Sequence, residues 1–193
     1  MRHALAALFL AASLALAAQA KPLPPVDEQI AAAVLPLPKE MQADATVMGY
    51  KTDGKLEIIR QGKNGMRCLA LYVTRPDFHV ACYHESLEPF MARGRELRTQ
   101  GVKDVDSARF AEIKSGKLKM PAHGALYSLT GKKEGWDAAT RKVTGATPLG
   151  VIYMPGATMA TTGISEKPGP AGTPWLMFAG TAKAHIMLVG SMQ

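Results

Sequence analysis

The sequence predicts an α+β fold, with a mainly antiparallel sheet that begins with a hairpin meander and two or three helices packed on one side. Short apolar segments separated by turn signals run through residues 46–83, which is typical of antiparallel strands. Helix-like spacing of apolar residues follows in residues 86–115, and strand-like segments return in the C-terminal third. No linker separates two apolar cores, so residues 21–193 are expected to form a single globular domain.

Residues 1–20 have the pattern of a secretory signal peptide. Arg2 provides the basic start, an uncharged apolar run follows, and Ala18-Gln19-Ala20 matches an A-x-A cleavage site. The apolar run is shorter than the roughly 20 residues that a bilayer-spanning helix needs. We therefore expect the mature chain to begin at Lys21 and to be exported, to the periplasm or the medium.

The first elements of the mature chain are a short helix and four strands. The helix is expected over residues 27–34, because Asp27 can cap it and Pro36 and Pro38 follow it. Three hairpin-type turns then join four strands in succession, which predicts the meander. These turns are Asp53-Gly54, Asn64-Gly65 and Thr74-Arg75-Pro76-Asp77.

The chain has two cysteines, Cys68 and Cys82, and the meander predicts how they are arranged. A register that places Tyr72 against Phe78 puts the two cysteines directly opposite each other on neighbouring strands, within disulfide distance. An even number of cysteines in an exported chain also favours a disulfide. The alternative is a reactive Cys82 beside His84, but the sequence offers neither a C-x-x-C motif nor a helix N-terminus to activate it.

Two further helices and the remaining strands follow the meander. The first helix is expected after Ser86 as N-cap, with Gly101 at its end, and the second over residues 106–115. Residues 132–147 are polar and are expected to form a loop around Trp136. The strands of the C-terminal third are expected over residues 124–129, 151–154, 175–178 and 184–189, with an exposed loop at 163–173.

The formal net charge is +7, and removal of the leader with its Arg2 lowers it to +6. The basic residues fall in two separate groups without interleaved aromatic residues, which argues against a nucleic-acid partner. We interpret them as a solvated basic surface that could contact phosphate-rich envelope components. No later apolar stretch reaches membrane-spanning length, so no transmembrane segment is expected in the mature chain. The two groups are Arg93, Arg95 and Arg98, and Lys114, Lys117 and Lys119.

The densest group of potential metal ligands surrounds the end of the fourth strand. His79, His84 and Glu88 lie close together in sequence, and His185 on the last strand could join them if the two strands are neighbours. Imidazole and carboxylate ligands suit a transition metal such as Zn or Cu. The alternative is structural: His84 flanks a helix, the acids complement its dipole, and His185 bonds within the sheet.

Three other chemistries remain open from the sequence, and so does the question of whether the protein is an enzyme. His84 could act with Ser86 or Glu88 in acid–base or nucleophilic catalysis, although there is no G-x-S-x-G or P-loop motif. Trp175 and Phe178, next to the loop at 163–173, could form a platform for a glycan or peptide, or could simply mark the entry to a core strand. The eleven methionines fit core packing better than Cu(I) binding.

Three segments resemble a group of exported bacterial proteins that have no assigned activity. They are FHVACYHESLEPFMARGRELR at 78–98, VIYMPGAT at 151–158 and WLMFAGTAKAHIM at 175–187, about a quarter of the mature chain. The resemblance implies export and a single domain, and it transfers no catalytic or binding residue. We therefore expect a binding or envelope-associated module with an unknown ligand. The alternative is a metal-dependent enzyme or metal-binding protein with a site around His84, Glu88 and His185.

Overall fold

The computed structural model describes residues 22–51, 55–71, 75–170 and 172–190. The predicted leader lies outside these residues, as do Asp53 and Gly54 of the first predicted turn and Thr74 of the third. The described helices are α1 (Val26–Ala33), α2 (Lys39–Gln42), α3 (Glu88–Thr99), α4 (Val105–Lys114) and α5 (Met159–Thr162). The described strands are β1 (Thr46–Tyr50), β2 (Leu56–Arg60), β3 (Met66–Leu69), β4 (Asp77–His84), β5 (Gly124–Lys132), β6 (Trp136–Asp137), β7 (Lys142–Val143), β8 (Thr147–Tyr153), β9 (Trp175–Met177) and β10 (His185–Val189).

Eight of these strands form one sheet in the order β2-β1-β3-β4-β5-β8-β10-β9. All its described pairings are antiparallel except that of β1 with β3, which is parallel. The α+β class and the mainly antiparallel sheet are therefore confirmed. No helix among the described residues has the length and apolar character needed to cross a membrane.

The predicted meander of four successive antiparallel strands is wrong in its order, because β3 passes β2 and pairs with β1. The reason lies in residues 62–65, which cross the start of β1 and do not form a hairpin turn. The backbone N–H of Lys63 donates to the Asp44 carbonyl at 2.8 Å, and that of Gly62 donates to the Thr46 hydroxyl at 3.0 Å. A Cβ atom at Gly62 would lie 2.2 Å from the Asp44 oxygen, so only glycine permits this close crossing.

Helices pack on both faces of the sheet, not on one side as predicted. Phe78, Val80 and Cys82 of β4 point to the face that α1 covers, here called the α1 face. Tyr83 points to the opposite face, the α3 face, where it packs with Phe90 of α3. Because β4 is apolar on both faces, burying it requires cover on both sides.

The predicted disulfide between Cys68 and Cys82 is confirmed. The two residues are paired directly across β3 and β4, as the predicted register requires. Both are fully buried and pack with Ala33 of α1 and Val47 of β1. The disulfide therefore joins the centre of the sheet beneath α1.

The C-terminal third contains the predicted strands, but residues 132–147 are not a simple loop. β6 and β7 form a short hairpin there. Trp136 of this hairpin stacks on Phe78 at a centroid distance of 5.7 Å, and its Nε1 donates to Glu28 of α1 at 3.1 Å. The polar composition of residues 132–147 did not indicate this hairpin, which covers one end of the α1 face.

Candidate functional site

The four residues predicted as metal ligands lie in separate places. His79 is on the α3 face, where its Nδ1 is 2.8 Å from the Thr130 hydroxyl. Glu88 accepts hydrogen bonds from the Tyr83 hydroxyl and from Arg95. Among the described residues, no three His, Cys, Asp or Glu side chains come together in a way that could hold a metal ion. The convergence that the metal hypothesis requires is thus not seen in the described part of the chain.

His185 lies on β10, which β5 and β8 separate from β4. It is buried, and its Nδ1 is 2.7 Å from the Lys183 carbonyl oxygen. Its ring contacts Tyr153 at 5.1 Å and Phe178 at 5.7 Å between centroids. Burial lowers the pKa of His185 below its ordinary value of 6.5. The surroundings of His185 match the structural alternative to a metal site, in which this histidine is hydrogen-bonded within the sheet.

A mostly apolar cavity that includes His84 lies at one end of the α1 face, and we call it the cleft. Its volume is about 540 Å³. Its walls come from α2, from β3, from β5 and from the segment that leads into β5, and polar side chains form its mouth. The walls include Met41, Met66, Pro121, Ala125 and Tyr127, and the mouth consists of His84, Ser86 and His123.

The walls of the cleft are held in place by one asparagine. Asn64 donates from Nδ2 to the Met41 carbonyl at 2.8 Å, and its Oδ1 accepts from the backbone N–H of Met66 at 3.1 Å. It thereby links α2 to the first residue of β3. On the other side, Tyr127 pairs directly with Cys82, so the disulfide anchors the floor. The cleft is built into the fold and does not depend on a long loop.

His84 ends β4 and caps the short 3-10 turn formed by Glu85–Leu87. Its Nδ1 accepts from the backbone N–H of Ser86 at 3.3 Å and lies 2.8 Å from the Ser86 hydroxyl. Because Nδ1 accepts, the hydrogen of the neutral imidazole is on Nε2. The sequence predicted Ser86 as the N-cap, but the histidine two residues earlier takes this role.

Gly65 leaves space for the His84 ring. Its φ of 76° is in the left-handed region that favours glycine. A Cβ atom at this position would lie 3.2 Å from His84 Nε2. The Gly65 carbonyl accepts from the backbone N–H of Glu85 at 2.8 Å, which fixes the turn next to the imidazole. The Asn64-Gly65 signal in the sequence therefore shapes the mouth of the cleft and is not a hairpin turn between β2 and β3.

His123 is a site residue that sequence reasoning missed. It is exposed in the segment before β5, and nothing in its local sequence marks it. The pairing of β4 with β5 brings it to the same end of the sheet as His84. Only a correct prediction of that pairing could have placed it in the cleft.

Trp175 and Phe178 lie away from the cleft, on and after the edge strand β9. Phe178 packs against His185, and the Lys183 ammonium lies 4.5 Å from its ring centroid. Lys183 in turn donates to Asp106 of α4 at 2.7 Å. Burial alone would raise the pKa of Asp106, but hydrogen bonds from Lys183 and Arg109 outweigh burial and lower it. The contact between Lys183 and Asp106 thus connects α4 to the segment that precedes β10.

Chemically, the cleft combines an apolar interior with imidazole and hydroxyl groups at one edge. Methionine side chains such as Met41 and Met66 are adaptable and are common on surfaces that bind apolar ligands. The mouth offers hydrogen-bond donors and acceptors to a polar end of a ligand. Such a combination is typical of small-molecule sites.

Comparison with protein-family models, with curated proteins and with solved structures gave no match.

Proposed function

We propose that this protein is an exported binding module that holds a small, mostly apolar ligand in the cleft. The observation that carries the proposal is the cleft itself, an apolar cavity of about 540 Å³ with its polar groups gathered at one edge. The apolar walls of the cleft present a surface that a ligand can cover, and burying apolar surface contributes about 25 cal/mol per Å². The separation of apolar walls from a polar mouth favours a ligand with one polar end.

Export is supported by three independent features. The N-terminal pattern is that of a signal peptide, the disulfide is the kind of bond that persists in oxidising compartments, and the resemblance is to exported bacterial proteins. The metal-dependent alternative has no comparable support, because His84, Glu88 and His185 each have other surroundings. We therefore favour binding of an apolar ligand.

The proposal is tested with N-phenyl-1-naphthylamine, a neutral apolar dye whose fluorescence rises on burial. We expect saturable binding of one dye per chain. Ala122→Trp should weaken it at least about tenfold, because an indole would fill part of the cleft from its edge. Ala139→Trp is the matched control, since Ala139 is also exposed but belongs to the turn between β6 and β7. Binding that is absent, or equal in the wild type and Ala122→Trp, would refute the proposal.

A further inference from the structure

An exposed apolar surface continues from the cleft across the sheet, and we call it the open strip. Ala125 and Tyr127, which line the cleft, pair directly with Ile152 and Gly150 of β8. These two in turn pair with Ile186 and Leu188 of β10. Directly paired residues point to the same face of a sheet, so all six side-chain positions lie on the α1 face. None of them carries a charge.

The strip is open at its centre and closed at its far end. Ile152 is 39% exposed and Leu188 is 38% exposed. Single exposed apolar residues are ordinary, but a contiguous row of them is a common sign of a binding surface. At the far end, Ile186 packs on buried Leu176 and Ala184. The strip therefore runs from the cleft to the buried cluster that contains Leu176 and Ala184.

The backbone of the strip excludes a ligand that binds as an additional strand. β5, β8 and β10 are internal strands of the sheet, each paired on both sides. Their ladder hydrogen bonds are already made, so an extended peptide would find no partners for its own N–H and C=O groups. An alkyl chain has no such groups and loses nothing by lying on this surface.

The dimensions of the strip fit one chain. β8 and β10 extend the surface beyond β5 by two strand spacings, about 10 Å in total. On each strand the two residues of the strip are two positions apart, so the strip is about 7 Å wide along the strand direction. Gly150 leaves a depression between Tyr127 and Leu188, where a Cβ atom would have Leu188 as its nearest neighbour at 3.6 Å. A single alkyl chain can follow this depression, whereas a two-chain lipid would exceed the width.

The charge of the protein favours an acidic end on that chain. The formal net charge is +7, or +6 without the predicted leader, so a second copy of the protein would bring two equally positive chains together, whereas an anion is attracted. At the mouth of the cleft, His84 carries its hydrogen on Nε2, and His123 and Ser86 add further polar groups. Hydrogen bonds to a carboxylate are stronger than those to a neutral group.

We propose that the ligand is a free long-chain fatty acid, with its carboxylate at the mouth, its first carbons in the cleft and the rest of its chain along the open strip. This inference rests on the proposed function and names the class of ligand. It assigns a role to Ile152, Gly150 and Leu188, which lie outside the cleft. It also gives a function to the exposed apolar side chains of Ile152 and Leu188.

The test compares dodecanoate with hexadecanoate, each below its micelle concentration, as competitors of the dye. A fully buried methylene improves affinity about fourfold. On the open strip only one side of the chain contacts the protein, so each added methylene should improve affinity about twofold. The four added carbons should thus give about fifteenfold tighter binding of hexadecanoate. The double variant Ile152→Ser/Leu188→Ser should reduce this gain to less than about threefold while changing dodecanoate affinity less than about twofold. The matched control is Val26→Ser/Ile58→Ser, because these residues are 41% and 42% exposed but lie outside the strip.

The outcomes separate the two proposals. A full chain-length gain in the Ile152→Ser/Leu188→Ser variant would overturn the fatty-acid path and leave the cleft proposal standing. If neither fatty acid displaces the bound dye, the fatty-acid proposal is also overturned and the cleft proposal stands. The same holds if the wild type forms a dimer in ultracentrifugation and the Ile152→Ser/Leu188→Ser variant does not. Absence of dye binding would remove both proposals.

A second comparison tests the position of the carboxylate. Hexadecanoate should bind about fivefold tighter than hexadecanol, and the double variant His84→Gln/His123→Gln should abolish this difference. An unchanged preference in that variant would place the carboxylate elsewhere.

Discussion

Tyr83 and His84 are adjacent on β4, yet they lie on opposite faces of the sheet in contrasting surroundings. Tyr83 is buried, its hydroxyl donates to Glu88 at 2.5 Å, and it accepts from Arg95 at 2.9 Å. His84 is exposed at the mouth of an apolar cleft. On the α3 face the Tyr83 hydroxyl and both Glu88 carboxylate oxygens have partners within the protein, so these residues stabilise the fold. On the α1 face the polar groups border an apolar cavity, so they can serve a ligand.

Tyr83 is enclosed on the α3 face, where it is 1% exposed. Burial raises the pKa of Tyr83 well above its ordinary value of 10, although the charge of Arg95 acts in the opposite direction. The residues around it form a packed cluster that includes Phe90 and Tyr153, whose rings meet edge to face at 6.4 Å. The same cluster receives Arg109, whose guanidinium lies 3.7 Å from the Phe90 ring centroid. The cluster around Tyr83 on the α3 face should therefore contribute to stability and not to binding, whereas the cleft on the α1 face should contribute to binding.

The largest effect is expected from Phe90→Ala on the α3 face. Phe90 is buried, and removing its ring leaves a cavity and takes away the surface on which Arg109 stacks. The free energy of unfolding should fall by about 4 kcal/mol, as measured by urea denaturation. Dye affinity of the folded fraction should stay within about twofold of wild type. If the free energy of unfolding falls by less than about 1 kcal/mol, or if the folded variant no longer binds dye, the proposed distinction between the two faces is wrong.

Removal of the disulfide tests the part of the α1 face that α1 covers. Cys68→Ala/Cys82→Ala should lower the free energy of unfolding by about 3 kcal/mol, because the bond closes a loop of 14 residues in sequence. Tyr127, which pairs with Cys82, should stay in place, so dye binding at low temperature should persist. Equal stability of the two proteins in urea would show that the packing beneath α1 does not need the bond.

A smaller effect concerns pH and two histidines, the buried His185 and the half-buried His79. Burial lowers the pKa of both His185 and His79 in the folded state, so the unfolded chain takes up their protons at higher pH. Their contribution to stability is therefore complete above about pH 6.5 and is lost as the pH falls below it, by up to about 1.4 kcal/mol per pH unit for each proton. Urea unfolding between pH 7 and 5.5 should show this slope, and His185→Gln should reduce it. An unchanged slope would mean that His185 is not responsible.

The sequence predicted those features that depend on neighbouring residues. The alternation in β4 and the spacing to Cys68 gave the register and the disulfide, because a hairpin-like pair aligns residues that are close in sequence. Strands β8, β9 and β10 were also located from local apolar patterns. The helix-like spacing of apolar residues in 86–115 also predicted α3, in which Phe90 and Leu97 are buried.

The rest depended on contacts between distant residues. Nothing local distinguishes Gly62, which crosses Asp44 and sends β3 past β2, from a glycine in a hairpin. His123 joins His84 only because β5 pairs with β4, and Trp136 packs on Phe78 across more than fifty residues. The histidine spacing that suggested a metal site ignored which face of the sheet each side chain occupies. A shift of one residue along a strand reverses that face.

The most direct measurement of the central claim is the spectrum of the protein with ¹³C-labelled methionine methyl groups during titration with dodecanoate. Met41 and Met66 line the cleft, whereas Met91 packs on the α3 face and serves as an internal control. We expect the Met41 and Met66 signals to shift and saturate together at one ligand per chain while the Met91 signal stays in place. Saturation with Met41 and Met66 unchanged, or equal shifts at Met91, would contradict the account.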